Sequence, residues 1–290
     1  MKEKILLTLA AAVALSLAVY YVADLTYTSF GRDEEALTPS ERSFVVYGDT
    51  RTRLEKHRKI VELIRSLRPD FIINTGDLVE RGADPKDWSQ FSRIIEPLEA
   101  EYLPAVGNHE QWNGGGKENF REAFPQVPQS GYYSRRRWGI HFIFLNQYLP
   151  YSQGSSQHDW LQGELEKTGP TIVVMHEPHF RANHSANLKT ARVLVPLLKK
   201  HDVDAVFYGH SHMFGLKREE GITYVVTGGG GAPLYEPNPH TLDVYHKKNH
   251  FIYFQRREEG LLGQVIGIDG NVLHQFSVDL AAEPIPLPNY

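Results

Sequence analysis

Asp49, Asp77, Asn108, His176, His210 and His212 are side chains that can hold a metal ion, and each follows a short apolar run. Ser43–Tyr47 leads into Gly48-Asp49, 70–75 into Gly76-Asp77, and 102–106 into Gly107-Asn108-His109-Glu110. Residues 171–175 lead into His176-Glu177-Pro178, and 204–208 into Gly209-His210-Ser211-His212. Carboxylate and amide oxygens mixed with imidazole nitrogens suit Zn, Fe or Mn better than Ca. The chain has no cysteine, so thiolate metal sites and disulfides are excluded.

Polar groups at the carboxyl ends of buried strands occupy the place where open α/β sheets bind ligands. Between the runs, apolar residues recur at helical spacing. Leu54, Ile60, Val61, Ile64 and Leu67 share one face, closed by Arg68-Pro69. Trp88, Phe91, Ile94, Ile95 and Leu98 form a second stripe that ends around Pro97. Further helices are predicted over 157–167 and 189–200, the latter kinked at Pro196. Such stripes are core-facing, not ligand-binding. After Gly209 the pattern changes to strands over 222–227, 250–255, 263–268 and 272–276, with a hairpin turn at Asp269-Gly270-Asn271. The predicted class is α/β: two packed mixed β-sheets flanked by helices, a four-layer α-β-β-α sandwich preceded by an N-terminal apolar helix.

The chain has 290 residues, enough for one large domain, and a net charge of -4 with 23% charged residues. That balance gives no general attraction to nucleic acid, and any phosphate binding would have to come from local cations. Lys2 and Lys4 precede an uncharged run from Ile5 to Ala23. At about 1.5 Å per residue it approaches the roughly 30 Å hydrocarbon thickness. An uncleaved single-pass anchor and a cleaved signal with Ser16-Leu17-Ala18 at its processing site both fit. Either reading expects the main domain to be membrane-anchored and extracytoplasmic, or exported. The predicted organisation is an anchor or signal over 1–30, a linker over 31–42, the main domain over 43–280, and a Pro-rich tail over 281–290.

In order and spacing, Gly48-Asp49, Gly76-Asp77, Gly107-Asn108-His109-Glu110, His176 and Gly209-His210-Ser211-His212 resemble the motifs of the calcineurin-like metallophosphoesterases. The likeness covers roughly residues 43 to 235. It implies two divalent or trivalent ions (Mn, Fe or Zn) that clamp a phosphoryl group and activate a water. By the same resemblance Asp77 bridges both ions, Asp49 and His212 complete one, and Asn108, His176 and His210 complete the other. Asn108 then also meets substrate, His109 protonates the leaving alkoxide, and Glu110 ties down its loop. The implied activity is hydrolysis of a phosphomonoester or phosphodiester, on a phosphorylated small molecule or lipid.

One position departs from the pattern. Many members carry Asp-x-His in the first motif, whereas this chain has Asp49-Thr50-Arg51, and a guanidinium has no lone pair for a metal. Purple-acid-phosphatase-like members instead place a Tyr three residues after the bridging Asp; here that residue is Glu80. Glu80 either ligates directly or acts as the acid does in Gly-Asp-x-Val-Asp-Arg-Gly of the protein Ser/Thr phosphatases, orienting His109. Arg51 and Arg81 are then expected to grip substrate phosphate. The departure leaves two competing readings: a degenerate, non-catalytic binding or scaffold protein, which the retained His109 opposes, and a single-metal hydrolase.

Other features carry bland alternatives. Trp112-Asn113-Gly114-Gly115-Gly116 is either a mobile substrate-side loop or a plain connector. Gly228-Gly229-Gly230-Gly231 lacks the Lys-Ser/Thr of a nucleotide loop and is expected to turn tightly near the metals, with phosphate contact as its other reading. Arg135-Arg136-Arg137 is read as a solvated turn, with lipid headgroups as a minor alternative. His179, His184, His240 and His246 are candidate pocket-rim residues, with a structural role as the default.

Overall fold

The computed structural model of the chain describes residues 40–183 and 185–281. The apolar segment, the linker before residue 40, the tail beyond residue 281 and His184 lie outside the described residues, and the expectations attached to them with it. Among the described residues no helix is long and apolar enough to cross a membrane.

In the first sheet β1 (Ser43–Tyr47), β2 (Phe71–Asn74) and β3 (Glu101–Pro104) run parallel. The second sheet begins with the hairpin β4 (Tyr133–Arg137) and β5 (Ile140–Phe144), then β6 (Thr171–Val174) and β7 (Ala205–Tyr208). It continues through β8 (Phe214–Glu219), β9 (Ile222–Thr227) and β10 (Val244–His246), in the order β10-β8-β9-β7-β6-β5-β4. The first sheet is completed by β11 (His250–Arg257), β12 (Gly260–Gly267) and β13 (Val272–Asp279), in the order β13-β12-β11-β1-β2-β3. β11 pairs antiparallel with β1, so both sheets are mixed, as expected.

Side chains alternate along each strand, which gives every strand an inner and an outer face. Phe44 and Phe71 stack at 4.9 Å, and Phe142 of the other sheet meets them edge-on at 5.5 and 5.4 Å. Phe207 and Phe254 stack across the same interface at 5.2 Å. On the outer face of the first sheet lie α1 (Leu54–Leu67), α2 (Pro85–Ile95) and α3 (Gly116–Ala123), with Phe91 edge-on to Tyr102 at 5.9 Å. α4 (Ser156–Leu165) and α5 (Leu188–Lys200) bury Leu161, Leu194 and Leu198 against Val173, Val206 and Tyr208 of the second sheet. Asp84 caps α2 by accepting from the Lys86 N–H, with Pro85 at the first helical position. α5 runs on through Pro196.

Several elements have no clear sequence signal. α3 opens on the third of three glycines, β8 carries Lys217, Arg218 and Glu219, and β10 is only three residues long. Arg135-Arg136-Arg137 is not a solvated turn but the end of edge strand β4, which closes the sandwich against β3. Arg137 pairs with Glu101, Arg135 approaches it at 3.7 Å, and the Tyr133 hydroxyl donates to Pro104 O at 2.9 Å. Consecutive arginines break strand alternation, yet charges are common on edges because they deter further pairing.

A buried hydrogen-bond chain ties the helices to the strand ends. Asn74 Nδ2 donates to the Tyr102 hydroxyl, which donates to Tyr47, whose hydroxyl meets His57 Nε2 at 3.1 Å. Asn74 Oδ1 in turn accepts from the Gly76 N–H at 2.9 Å, fixing the turn that carries Asp77. Burial lowers His57 to about 3, and His179 and His250 to about 4. The unfolded chain therefore takes up protons below about pH 6.5 that the folded chain refuses. The contribution of these three histidines is full above that pH and is expected to fall by several kcal/mol, an order-of-magnitude figure, as pH drops toward 4. Urea midpoints that stay level between pH 7 and 4.5 would contradict this.

Candidate metal centre

Three parallel strands of one sheet and two of the other end at the same place, and their loops supply the six expected ligands. β1, β2 and β3 deliver Asp49, Asp77 and Asn108; β6 and β7 deliver His176, His210 and His212. The ligand atoms of Asp49, Asp77 and His212 all lie within 4.8 Å of one another, in a buried group. Asn108 Oδ1 is 3.1 Å from both His176 Nε2 and His210 Nδ1, which are 3.3 Å apart. Asp77 Oδ1 lies 3.3 Å from His176 Nε2 and so joins the second cluster as well.

Tight backbone makes this possible. Asp49, Asp77 and His210 all adopt the left-handed conformation, with φ of 57°, 56° and 63°. Strain of this kind, roughly 1–3 kcal/mol each, persists only where the surroundings impose it. Here the His210 N–H donates to Asp49 Oδ2 at 2.9 Å, and the Asp49 N–H to Gly76 O at 2.9 Å. Gly76, with φ of 100°, admits no larger residue: an added Cβ would stand 2.7 Å from His176 Nδ1. The glycine run behaves similarly. At Gly228 a Cβ would sit 2.8 Å from Asp49 Oδ2, while the Gly230 N–H donates to Gly48 O at 2.8 Å. It is thus backbone packed against the Asp49 turn.

Backbone carbonyls set the imidazole tautomers. His176 Nδ1 donates to Thr75 O at 2.8 Å and His212 Nδ1 to Pro233 O at 2.7 Å, leaving each Nε2 lone pair facing the centre. Burial opposes charge on both His176 and Asp77. Their mutual attraction wins, lifting His176 to about 10 and holding Asp77 below the usual carboxylate range, so a bound ion would have to displace the proton from His176 Nε2. His210 is lowered by burial and by the neighbouring His176.

Glu110 is fully buried and accepts three backbone N–H groups: Gly107 at 2.6 Å, Asp77 at 2.9 Å and Leu78 at 2.8 Å. It pins the Asp77 turn to the Asn108 turn, the tying role expected of it. Burial and the Asp77 charge push its carboxyl up to about 7, against donors that favour the anion.

His109 stands beside the centre. Its N–H donates to Asp77 Oδ1 at 2.9 Å, and its Nε2 lies 4.0 Å from Asp77 Oδ2. Its Nδ1 is 2.7 Å from the backbone carbonyl of Glu80, so Glu80 orients the ring through the main chain. The Glu80 carboxylate bonds Arg51 Nη1 at 3.1 Å and Thr52 Oγ1 at 2.5 Å through Oε2, and its Oε1 lies 3.9 Å from His109 Nδ1. Arg81 is 61% exposed and turned to Asp84 at 2.8 Å and Asp87 at 3.1 Å. Against the cost of its burial, Asp77 and then Glu80 raise the Arg51 guanidinium above its usual value.

The remaining candidates fall away from the ligands. His179 is buried, with Nδ1 2.9 Å from the Tyr208 hydroxyl, and His246 stacks on Phe214. Trp112 is buried, with its ring 5.5 Å from Phe120, so its loop is anchored, not loose. That loop and Tyr148 line a cavity of about 440 Å³ beside Asn108. Thr52, Tyr148, and Tyr235, stacked at 4.1 Å on His212, escape the sequence reading. None lies in a ligand motif, and carbonyls such as Thr75 O carry no residue-type signal.

The calcineurin-like phosphoesterase family matches residues 42–214. The chain belongs to this family. It is 29% identical over 194 residues to a probable purple acid phosphatase 20 of Arabidopsis thaliana, covering 59% of this chain and 45% of that one. A probable cyclic nucleotide phosphodiesterase of Rhodococcus erythropolis is 27% identical over 192 residues, covering 60% and 63%. The solved purple acid phosphatase PPD1 of yellow lupin superposes with a TM-score of 0.70 at 21% identity, covering 83% of this chain and 54% of that one. The chain thus spans about half the length of the purple acid phosphatases it matches.

The family implies a dinuclear site, and the two halves fit it differently. Ion–ligand bonds of about 2.0–2.2 Å require neighbouring donor atoms roughly 3.0–3.5 Å apart. Asn108, His176 and His210, mutually 3.1 to 3.3 Å apart, meet that condition, and Asp77 reaches them through His176 at 3.3 Å. At the Asp49–Asp77–His212 group the guanidinium of Arg51 intrudes. Its Nε is 3.3 Å from Asp77 Oδ2 and its Nη2 3.4 Å from His212 Nε2. There Arg51 and a first ion would compete for the same donor atoms.

Proposed function

We propose that this chain is a metal-dependent phosphoester hydrolase. The observation that carries the reading is the cluster of Asn108, His176 and His210, joined to Asp77 through His176, with the Nε2 of His109 4.0 Å from Asp77. A bound ion would supply Lewis acidity and lower the pKa of an attacking water. Asn108 orients a phosphoryl oxygen, and the fixed positive charge of Arg51 lies beside it. As the water oxygen bonds to phosphorus, the ester P–O bond breaks and the departing oxygen takes the proton from His109 Nε2. The Nδ1 contact with Glu80 O keeps that ring aimed at the leaving group. The cavity lined by Trp112, Asn113 and Tyr148 takes the organic part of the substrate.

A panel of phosphomonoesters and phosphodiesters, assayed with Mn, Zn or Fe, tests this. Chelation is expected to abolish hydrolysis and added metal to restore it. Metal bound with no hydrolysis across the panel would favour a non-catalytic binding protein. His176→Ala is expected to lose metal and at least about 100-fold in rate, since it removes a ligand from the cradle that generates the nucleophile. Unchanged metal content in that variant would place the ion elsewhere.

A further inference from the structure

We propose that the Arg51 guanidinium, not a second metal ion, is the resident cation of the Asp49–Asp77–His212 group, so that the centre takes a single ion. The inference rests on the metal-dependent reading above and narrows it.

The decisive contact is with His212. Its Nδ1 donates to Pro233 O, so Nε2 holds the one lone pair the ring has to offer. Arg51 Nη2 lies 3.4 Å from that atom, with its N–H directed at it. A metal ion bound by His212 would need the same lone pair. Asp77 Oδ2, the oxygen not shared with His176, is likewise taken by Arg51 Nε at 3.3 Å. The guanidinium is permanently charged and supplies no lone pair in return, so ion and arginine exclude each other.

A latch holds the arginine from the opposite edge. Nη1 is 3.1 Å from Glu80 Oε2 and 3.3 Å from Thr52 Oγ1, and Thr52 Oγ1 itself bonds Glu80. Thr52 keeps a left-handed φ of 72° in this arrangement. The Arg51 side chain is only 12% exposed, so moving it out breaks contacts with four residues at once. The latch engages Glu80 through Oε2. The second cluster has no such intruder among the described contacts, and it keeps its ion.

The test is metal stoichiometry, read apart from turnover. The full chain is stripped with chelator and titrated with Mn(II), and bound metal is counted after desalting. The expected result is about one Mn per chain, with the uncoupled spin-resonance signal of an isolated ion. Arg51→His removes the guanidinium and restores an imidazole to the first motif. It is expected to take about two Mn per chain, spin-coupled because the ions then lie about 3.5–4 Å apart. If Arg51→His does not fold by thermal melting, Glu80→Gln weakens the latch and is expected to raise the count above one at high Mn(II). Two ions in the unaltered chain would overturn the inference and leave the hydrolase reading standing. A folded Arg51→His that stays at one ion would overturn it too. No bound ion in any form would sink both readings together.

Discussion

His109→Ala is expected to slow hydrolysis by about 100- to 10,000-fold, the range a positioned general acid contributes, while metal content stays unchanged. The backbone N–H of His109 donates to Asp77 Oδ1, a contact that Ala preserves. The loss should depend on the leaving group. An alkyl phosphate, whose alkoxide cannot depart unprotonated, should show the whole effect; a nitrophenyl ester should show little. Equal losses on both would mean that His109 positions substrate and does not donate a proton. The measurement needs only two substrates and one variant, and its contrast does not depend on how many ions the centre holds.

Glu110→Ala is expected to destabilise the fold by roughly 3 kcal/mol or more, because three buried N–H groups lose their acceptor at about 1–3 kcal/mol each. Glu110 is completely buried, so water does not replace it without opening the structure. The same change frees the Asp77 and Gly107 turns from one another, and metal affinity should fall with stability. Glu110→Gln keeps one acceptor oxygen and should fall between. Denaturant midpoints with and without Mn(II) separate the two effects. A Glu110→Ala protein of unaltered stability would show that other groups hold these turns.

Much of the fold was legible because its strands are nearly continuous apolar runs and its helices carry clean stripes. β9, Ile222–Thr227, matches the expected span, and the Asp269-Gly270-Asn271 turn holds Gly270 at a φ of 83°. Pattern failed where charge or glycine overrode it. The arginines of β4 and the glycines before α3 belong to elements defined by their neighbours, Glu101 and Trp112, which are remote in the chain or read as loop.

The residue types of the centre were set by the sequence alone: which side chains can ligate, and that a guanidinium stands where an imidazole is common. Their order and the runs before them also announced that they share one end of the sheets. Only the tertiary structure decided what each contact is. It turned the Glu80 carboxylate to Arg51 and its carbonyl to His109, turned Arg81 toward Asp84 and Asp87, and set Arg51 against the His212 lone pair. The reason is physical: a lone pair is used once, and which partner uses it depends on directions in space that residue type and spacing do not specify.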